Sequence, residues 1–279
     1  MNYSQFLNMF PEASLMVVLL ITFIADFCTS KRADREWFNP LVCLLMLAHI
    51  CFNIYPTEAA EAFGGMYTTG PAVGVLKTIL ALGTLIVMVQ AKEWLSRKDT
   101  AFKEGEFYML IISTLLGMNM MVSANHFLLF FLGLEMASVP MACLVAFDKY
   151  RHHSAEAGAK FVLTATFSSG VMIYGISLLY AACGTLYFED MANVITASPL
   201  TIAGMVFFFS GLGFKISLVP FHFWTADSYQ GAPTTVTGYL SVVSKGAAAF
   251  TLCAILMKVF QPMVEYWTVL LYIVIVLSI

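Results

Sequence analysis

Five ionisable side chains lie inside long apolar stretches of the sequence, where a charge is costly to keep. They are Glu135, Lys160, Lys215, Lys245 and His222. A charge at the centre of a bilayer costs about 2.5–3.5 kcal/mol on insertion scales, and such residues mark ion or proton pathways. A desolvated amine gives up its proton more readily, and histidine exchanges protons near neutral pH. The set therefore predicts proton transfer through apolar surroundings.

A purely structural role is the alternative for these charges. One buried Glu–Lys ion pair that fixes helix packing would account for Glu135 and a single lysine, but not for three lysines against one carboxylate. His222 is equally compatible with a hydrogen-bonded structural role. Lys77, in another apolar stretch, either extends outward to the membrane surface or lines a cavity.

The composition places these residues in a membrane protein. Of 279 residues, 60% are hydrophobic and 11% are charged, and the mean hydropathy is +0.83; soluble domains carry roughly 25% charged residues. Lipid admits only helices and closed barrels, and the apolar runs lack the alternation of barrel strands. We predict an all-α, polytopic transmembrane helix bundle in which the lipid bilayer is a partner.

Runs of about 20 apolar residues are long enough to cross a bilayer. They predict nine segments, at about 11–29, 38–55, 69–91, 106–123, 126–147, 154–181, 200–229 (interrupted), 234–258 and 264–279. The last run, LLYIVIVLSI, has no polar exit, so we expect the sequence to be the first part of a longer chain.

Basic residues in alternate loops predict the orientation. The loops at 30–37, 92–105 and 148–153 together contain nine basic residues: Lys31, Arg32, Arg35, Lys92, Arg97, Lys98, Lys103, Lys149 and Arg151. The loops between these three contain no lysine or arginine. Because basic loops stay in the cytoplasm, the N-terminus is expected outside. No basic residue precedes the first apolar run, which argues against a cleaved signal peptide.

The seventh segment contains a helix breaker beside a lysine. In GLGFKISLVPFHFWTADSYQGAPT, residues 211–234, Pro220 cannot donate its N–H and is expected to split the helix. We expect unpaired carbonyls next to Lys215 and His222 just beyond the break. Asp227 is interpreted as a cap or an entrance residue. Discontinuous helices at membrane depth line cavities and mark transport sites.

Other kinds of chemistry find no support in the sequence. It contains no glycine-rich phosphate loop, zinc-binding spacing or nucleophile elbow, and no basic surface for nucleic acid. The six cysteines are single and are expected to be small buried side chains. We therefore predict that the chain binds no cofactor or metal.

Three stretches resemble a known family. FLGLEMASVPMACLVAF (131–147), SAEAGAKFVLTATFSSGVMIYGISLLYAACGTL (154–186) and GLGFKISLVPFHFWTADSYQGAPTTVTGYLSVVSKGAAAF (211–250) are similar to the antiporter-like membrane subunits of respiratory complex I, NADH:quinone oxidoreductase. The resemblance is strong over about 105–258 and weaker before it. It implies a fourteen-helix fold with two inverted five-helix repeats, each with a broken helix.

The resemblance also implies domains and roles. Residues 1–105 would be three N-terminal helices, 106–258 the first repeat with its break near Pro220, and 259–279 the start of a truncated second repeat. Positions matching Glu135, Lys215 and Lys245 are the family's membrane carboxylate, broken-helix lysine and central lysine, and Lys160 matches a further lysine. His222 is our own addition to this set.

The implied function is proton translocation in the membrane arm of a bacterial inner-membrane complex I. NADH, FMN, iron–sulfur clusters and quinone would be bound by other subunits, and the neighbours would be the antiporter-like subunit M and the small subunit K. Three alternatives stay open: a stand-alone Mrp-type Na⁺/H⁺ antiporter subunit, a structural spacer, and a quinone-binding subunit that uses Phe221, Phe223 and Trp224.

Overall fold

The computed structural model describes residues 3–29, 35–54, 58–97, 100–148 and 150–278. Twelve α-helices make up most of this part of the chain: α1 (Phe10–Thr29), α2 (Phe38–Asn53), α3 (Pro71–Leu95), α4 (Glu104–Val122), α5 (Phe127–Val145), α6 (His152–Cys183), α7 (Phe188–Val194), α8 (Pro199–Ile216), α9 (Phe223–Gly231), α10 (Thr234–Tyr239), α11 (Lys245–Lys258) and α12 (Val264–Ser278). Short 3₁₀ turns span Tyr3–Met9, Ala101–Lys103 and Gln261–Met263.

The predicted transmembrane helix bundle is confirmed. Each of the nine apolar segments is helical, and in the described part of the chain eight spans are long and apolar enough to cross a membrane. The helix Phe38–Asn53 is shorter, at 16 residues. Of the basic residues used to predict the orientation, Lys31, Arg32, Lys98 and Lys149 lie outside the described residues.

A small hairpin was not anticipated from the sequence. β1 (Ala60–Ala62) pairs antiparallel with β2 (Tyr67–Thr69), and strands of three residues are too short to give an apolar period. The hairpin is tied to the turn between α4 and α5, since Thr68 N–H donates to Ser123 O at 2.9 Å. It thereby joins the first three helices to the helices that carry the candidate residues.

The same turn contains the cap of α5. His126 Nδ1 accepts a hydrogen bond from Leu128 N–H at 3.1 Å, which satisfies one of the free donors at the start of the helix. Partial burial lowers the pKa of His126. The neutral ring that can accept this bond is therefore favoured.

Glycines let the central helices cross at close range. A Cβ added to Gly211 of α8 would lie 2.4 Å from Met172 Cβ of α6, and one added to Gly133 of α5 would lie 2.5 Å from the backbone N of Met121 in α4. A side chain at either position would push the helices apart. Ser168 Oγ of α6 uses this proximity to donate to Gly211 O at 2.8 Å.

The predicted break in the seventh segment is present as a capped helix end. α8 ends at Ile216, and Ser217 takes a left-handed conformation (φ 66°, ψ 41°). Ser217 N–H donates to Phe214 O and Leu218 N–H to Gly213 O, both at 2.9 Å. These two hydrogen bonds together form the Schellman motif, which ends a helix by pairing its last carbonyls.

Two details of the predicted break are therefore wrong. The helix stops before Pro220 is reached, so the proline prevents the helix from resuming until Phe223 but does not end it. The carbonyls expected to be unpaired next to Lys215 include that of Phe214, which also accepts from Trp224 Nε1 at 3.0 Å.

The eighth segment is not a uniform α-helix. Residues Leu240–Ser244 form one π-helical turn between α10 and α11. Lys245 is the first residue of the regular helix that follows. π turns inside α-helices occur frequently at functional sites.

The cysteines differ from the prediction that they would be buried. Four are exposed on the surface of the described chain and two are partly exposed: Cys28, Cys51, Cys143 and Cys253, then Cys43 and Cys183. In a membrane protein an outward-facing cysteine meets lipid, so apolar character alone does not determine which side it takes.

Candidate functional site

Lys215 is buried at the end of α8, where the helix breaks. It is 4% exposed, and its Nζ donates to Ser138 Oγ of α5 at 2.8 Å. Ser138 Oγ in turn donates to Leu134 O at 2.7 Å, so its lone pairs face the amine. The C-terminal end of a helix carries partial negative charge, which favours a cation at this position.

Glu135 lies one turn before Ser138 on the same face of α5 and is half-buried. Its Oε1 accepts a short hydrogen bond from Ser169 Oγ of α6. In the described chain the acid and the amine form no direct ion pair, because each is bonded to a different serine.

A small cavity lies beside the Lys215 amine and the two serines. Its volume is about 10 Å³, and its lining includes Ser138, Ser168, Ser169 and Lys215. A cavity of roughly 10–15 Å³ can hold one water molecule when polar partners surround it. The three serines were missed in the sequence, although Ser138 lies three residues after Glu135, a spacing that places both on one helix face.

Lys245 is half-buried and meets aromatic rings. Its Nζ lies 5.0 Å from the ring centroid of Tyr229 and 6.0 Å from that of Trp224, both within cation–π range. Trp224 also donates to Phe214 O, so one ring links the end of α8 to the second lysine. The sequence predicted both lysines but not this aromatic link.

His222 lies within the break and is half-buried, with its ring stacked on Phe223 at 4.6 Å between centroids. Its Nδ1 is buried and has no hydrogen-bond partner among the described residues. Four more buried polar atoms share this property and lie on α9, on α10 and just before Lys245: Ser228 Oγ, Tyr229 OH, Thr235 Oγ1 and Ser244 Oγ. Buried polar groups are paired or hydrated, so this region is suited to water.

The prediction that Lys160 is a buried amine is wrong. Its side chain is 45% exposed and forms ion pairs with Glu156 at 2.7 Å and with Asp227 at 2.8 Å. The argument that three lysines share one carboxylate therefore fails, because Asp227 of α9 and Glu156 of α6 neutralise Lys160. Glu135, Lys215 and Lys245, unlike Lys160, are buried or half-buried as expected.

Lys77 belongs to a second buried cluster, so of its two alternatives the extension outward to the membrane surface is excluded. Its Nζ bonds Glu12 Oε1 at 2.6 Å and Tyr67 OH at 2.9 Å, and Tyr67 OH donates to Glu12 Oε2 at 2.8 Å. Exposures are 3% for Lys77, 2% for Glu12 and 0% for Tyr67. Sequence reasoning missed this cluster, because Glu12 stands at the start of an apolar run.

The half of the chain that contains the helix break matches a known family of membrane proteins. The family described as NADH:quinone oxidoreductase/Mrp antiporter, TM matches residues 124–279, and the chain belongs to this family. The match covers α5 to α12, which contain Glu135, Lys215 and Lys245.

Individual relatives narrow the comparison from the family to one type of subunit. The chain is 58% identical over 279 residues to the NADH-quinone oxidoreductase subunit N of Phocaeicola vulgatus. That alignment covers 100% of this chain and 59% of the relative. It is 46% identical over 270 residues to subunit N of Azobacteroides pseudotrichonymphae, covering 96% of this chain and 56% of the relative. The chain thus spans rather more than half the length of these relatives.

A solved structure has the same fold over most of this chain. A chain of respiratory complex I from Thermus thermophilus with bound aureothin superposes with a TM-score of 0.71 and 28% sequence identity. The superposition covers 87% of this chain and 52% of the other.

Proposed function

We propose that the chain is part of a proton-translocating membrane-arm subunit, of the subunit N type, of NADH:quinone oxidoreductase. The observation that carries the proposal is that Lys215 is hydrogen-bonded to Ser138 and Glu135 to Ser169, and that both serines line one small cavity beside the amine. An amine held in this way can be charged or neutral without leaving a directly paired carboxylate unbalanced.

The relay is proposed to start from this separated pair. When Lys215 approaches Glu135, the ammonium form is stabilised; when it moves to Ser138, that stabilisation weakens and the proton can leave. Moving one charge against 100 mV costs about 2.3 kcal/mol, and a pKa change of one unit at an amine is worth about 1.4 kcal/mol. Changes of that size at Lys215 are therefore large enough to matter.

The proton would pass next to Lys245. Trp224 contacts both the end of α8 and the Lys245 amine. The buried polar atoms around His222, Tyr229 and Ser244 would hold the water that connects the two lysines. Lys160, ion-paired on the outer surface of α6, is proposed to lie on the approach to this path.

The subunit assignment carries further proposals. The chain would lie in a bacterial inner membrane with its N-terminus in the periplasm, next to the subunits M and K. The redox groups would be bound elsewhere in the complex, so the chain would act in a translocase without transferring electrons. In a background without the native cysteines, a cysteine at Thr68 is expected to react from outside, and one at Asp99, which lies outside the described residues, from inside.

The experiment that tests the proposed function uses the chain in its native membrane. Lys215→Ala should leave the content of assembled NADH:quinone oxidoreductase unchanged and lower the protons moved per NADH oxidised. Lys258→Ala, at the end of α11, is the matched control and should behave like the native chain. Unchanged proton movement in the Lys215 variant would contradict the proposal.

A stand-alone Na⁺/H⁺ antiporter is the second candidate, because the family description includes Mrp antiporters. The two functions differ in what accompanies the chain. Mild extraction from membranes should recover it with NADH:quinone reductase activity under the first proposal. Recovery without that activity, together with Na⁺-dependent proton exchange in vesicles, would favour the antiporter.

A further inference from the structure

A second pocket lies far from the helix break, at the end of the bundle where α3 ends and α4 begins. It has a volume of about 340 Å³, within the range of roughly 300–1,000 Å³ typical of ligand sites. The end of α5 and the start of α6 complete it, so four helix ends surround one cavity. We call it the basic pocket, and the lining residues used below are Trp94, Arg97, Lys103, Asp148, Tyr150 and Arg151.

The pocket carries an excess of positive charge. Arg97, Lys103 and Arg151 face a single carboxylate, Asp148, in its lining. Arg151 Nε lies 3.9 Å from Asp148 Oδ2, and its side chain is 72% exposed. This contact is therefore long and open to solvent, and among the described lining residues the cations outnumber the carboxylates by two.

Lys103 is the buried cation in the lining of the pocket. It is 8% exposed, and its Nζ has no carboxylate within 4.0 Å in the described chain. Instead the amine lies over three rings, at 5.1 Å from Tyr150, 5.2 Å from Phe102 and 5.7 Å from Phe147. A buried ammonium held only by ring faces retains hydrogen-bond donors for an anionic ligand.

The mouth of the pocket has the character of a membrane interface. Tyr150 is 82% exposed and Phe102 is 64% exposed, while Trp94 forms part of the lining. Aromatic side chains of this kind concentrate at the level of lipid headgroups. The apolar spans of α3 and α4 begin directly beneath, so a lipid would have its chains beside helices and its phosphate beside cations.

We propose that the basic pocket binds the phosphate group of an anionic phospholipid. Basic pockets between transmembrane helices on the cytoplasmic side bind anionic headgroups, and each nearby cation adds to the attraction. The predicted orientation places this end of the bundle in the cytoplasm. Arg97 and Arg151 supply planar donors for the phosphate oxygens, and Lys103 supplies the buried charge.

The test uses the chain in its native membrane, fused with vesicles that contain a photoreactive phosphatidylglycerol or a phosphatidylcholine with the same reactive group. Labelled residues are located by mass spectrometry. Phosphatidylglycerol is expected to label Trp94, Phe102 or Tyr150 about thirtyfold more than phosphatidylcholine, given two surplus cations. Equal labelling by the two lipids would overturn the proposal.

Variants separate the pocket from general membrane charge. The triple change Arg97→Gln, Lys103→Gln and Arg151→Gln should abolish the preference for phosphatidylglycerol. Lys92→Gln, an exposed cation at the same end of α3 that does not line the pocket, should retain it. If the triple variant is lost from the membrane, Lys103→Gln against Lys103→Arg decides: the glutamine should lower the preference and the arginine should keep it. A preference that survives Lys103→Gln and the triple change sinks the proposal.

A third arm distinguishes the lipid from soluble phosphate, which has the same chemistry. Inorganic phosphate should compete with phosphatidylglycerol labelling no better than chloride at the same ionic strength. Displacement by phosphate beyond that of chloride would identify a soluble anion as the ligand and would overturn the assignment to a lipid.

Discussion

Lys77 and Lys215 are buried to nearly the same extent, but their amines donate hydrogen bonds to different kinds of group. Lys77, at 3% exposure, is bonded directly to the carboxylate of Glu12 and to Tyr67, which closes a ring of three hydrogen bonds. Lys215, at 4% exposure, is bonded to the hydroxyl of Ser138, while the carboxylate of Glu135 is bonded to Ser169. Two lysines with the same burial therefore differ in the groups that hold their amines.

The partners distinguish them. In the closed cluster, loss of a proton from Lys77 to a group outside the cluster would leave the Glu12 carboxylate buried without its counter-charge. In the open arrangement, the hydroxyl of Ser138 can serve the amine in either protonation state, because a hydroxyl both donates and accepts. We infer that the first region holds helices together and the second moves protons.

The largest expected effect comes from breaking the closed cluster. Glu12→Gln leaves the Lys77 ammonium buried without its counter-charge, and a buried pair broken on one side costs about 3–5 kcal/mol. Glu135→Gln should cost about 1 kcal/mol or less, because its amide oxygen can still accept from Ser169. The thermal midpoint of the chain extracted in mild detergent measures both.

A double variant is the control for this prediction. Glu12→Gln combined with Lys77→Met removes both charges and should recover part of the lost stability, since the buried ion is gone. Midpoints that fall equally in the Glu12 and Glu135 variants would show that the two regions do not differ in the way we describe.

The second prediction concerns the serine that holds Lys215. Ser138→Ala removes the acceptor of a bond from a charged donor, worth about 1.5–3 kcal/mol, whereas Ser168→Ala removes a neutral bond worth about 0.5–1.5 kcal/mol. The rate of proton movement should therefore fall by about tenfold or more in the first variant and by less in the second. Both serines line the same small cavity, so Ser168 is a matched control.

The outcome also bears on the relay itself. If Ser138→Ala lowered the content of assembled complex without lowering proton movement per NADH, the hydroxyl would be a packing group. The open arrangement would then give no reason to assign Lys215 a different role from Lys77.

The smallest expected effect is at the aromatic contact of Lys245. Tyr229→Leu removes one cation–π contact, worth about 0.5–2 kcal/mol, and should lower the rate of proton movement by a few-fold. Tyr180→Leu changes a tyrosine that is 51% exposed on α6 and should leave the rate unchanged. A loss of the same size in both variants would mean that Tyr229 acts through general packing.

The sequence was sufficient for features that depend on long apolar runs. It predicted the nine helical segments, because lipid requires length and apolarity, and it predicted that the seventh is interrupted, although the helix ends at Ile216, before Pro220. It also selected Glu135, Lys215 and Lys245, since charges stand out against an apolar background. The role of these residues in proton transfer stays a prediction.

Features that depend on contacts between distant segments could not be predicted. The Glu12–Lys77–Tyr67 cluster joins residues more than fifty positions apart, and Lys160 is neutralised by Asp227 on another helix. The caps, the hairpin and the π turn are local, but each is too short to produce a period. Hydroxyl groups such as Ser138 and Ser169 are common in membrane helices, so only their geometry identifies them.

The most direct test of the central claim is the substitution of a lysine on the proposed path by arginine, which keeps the positive charge but has a pKa above about 12 and cannot release its proton. Lys245 is the suitable position because its side chain is only half-buried. The content of assembled complex and the protons moved per NADH oxidised are measured for Lys245→Arg and Lys245→Ala in native membranes. We expect normal content in the arginine variant and a loss of proton movement as large as that in the alanine variant. Full proton movement by the arginine variant at normal content would contradict the account, because a permanent charge would then be enough.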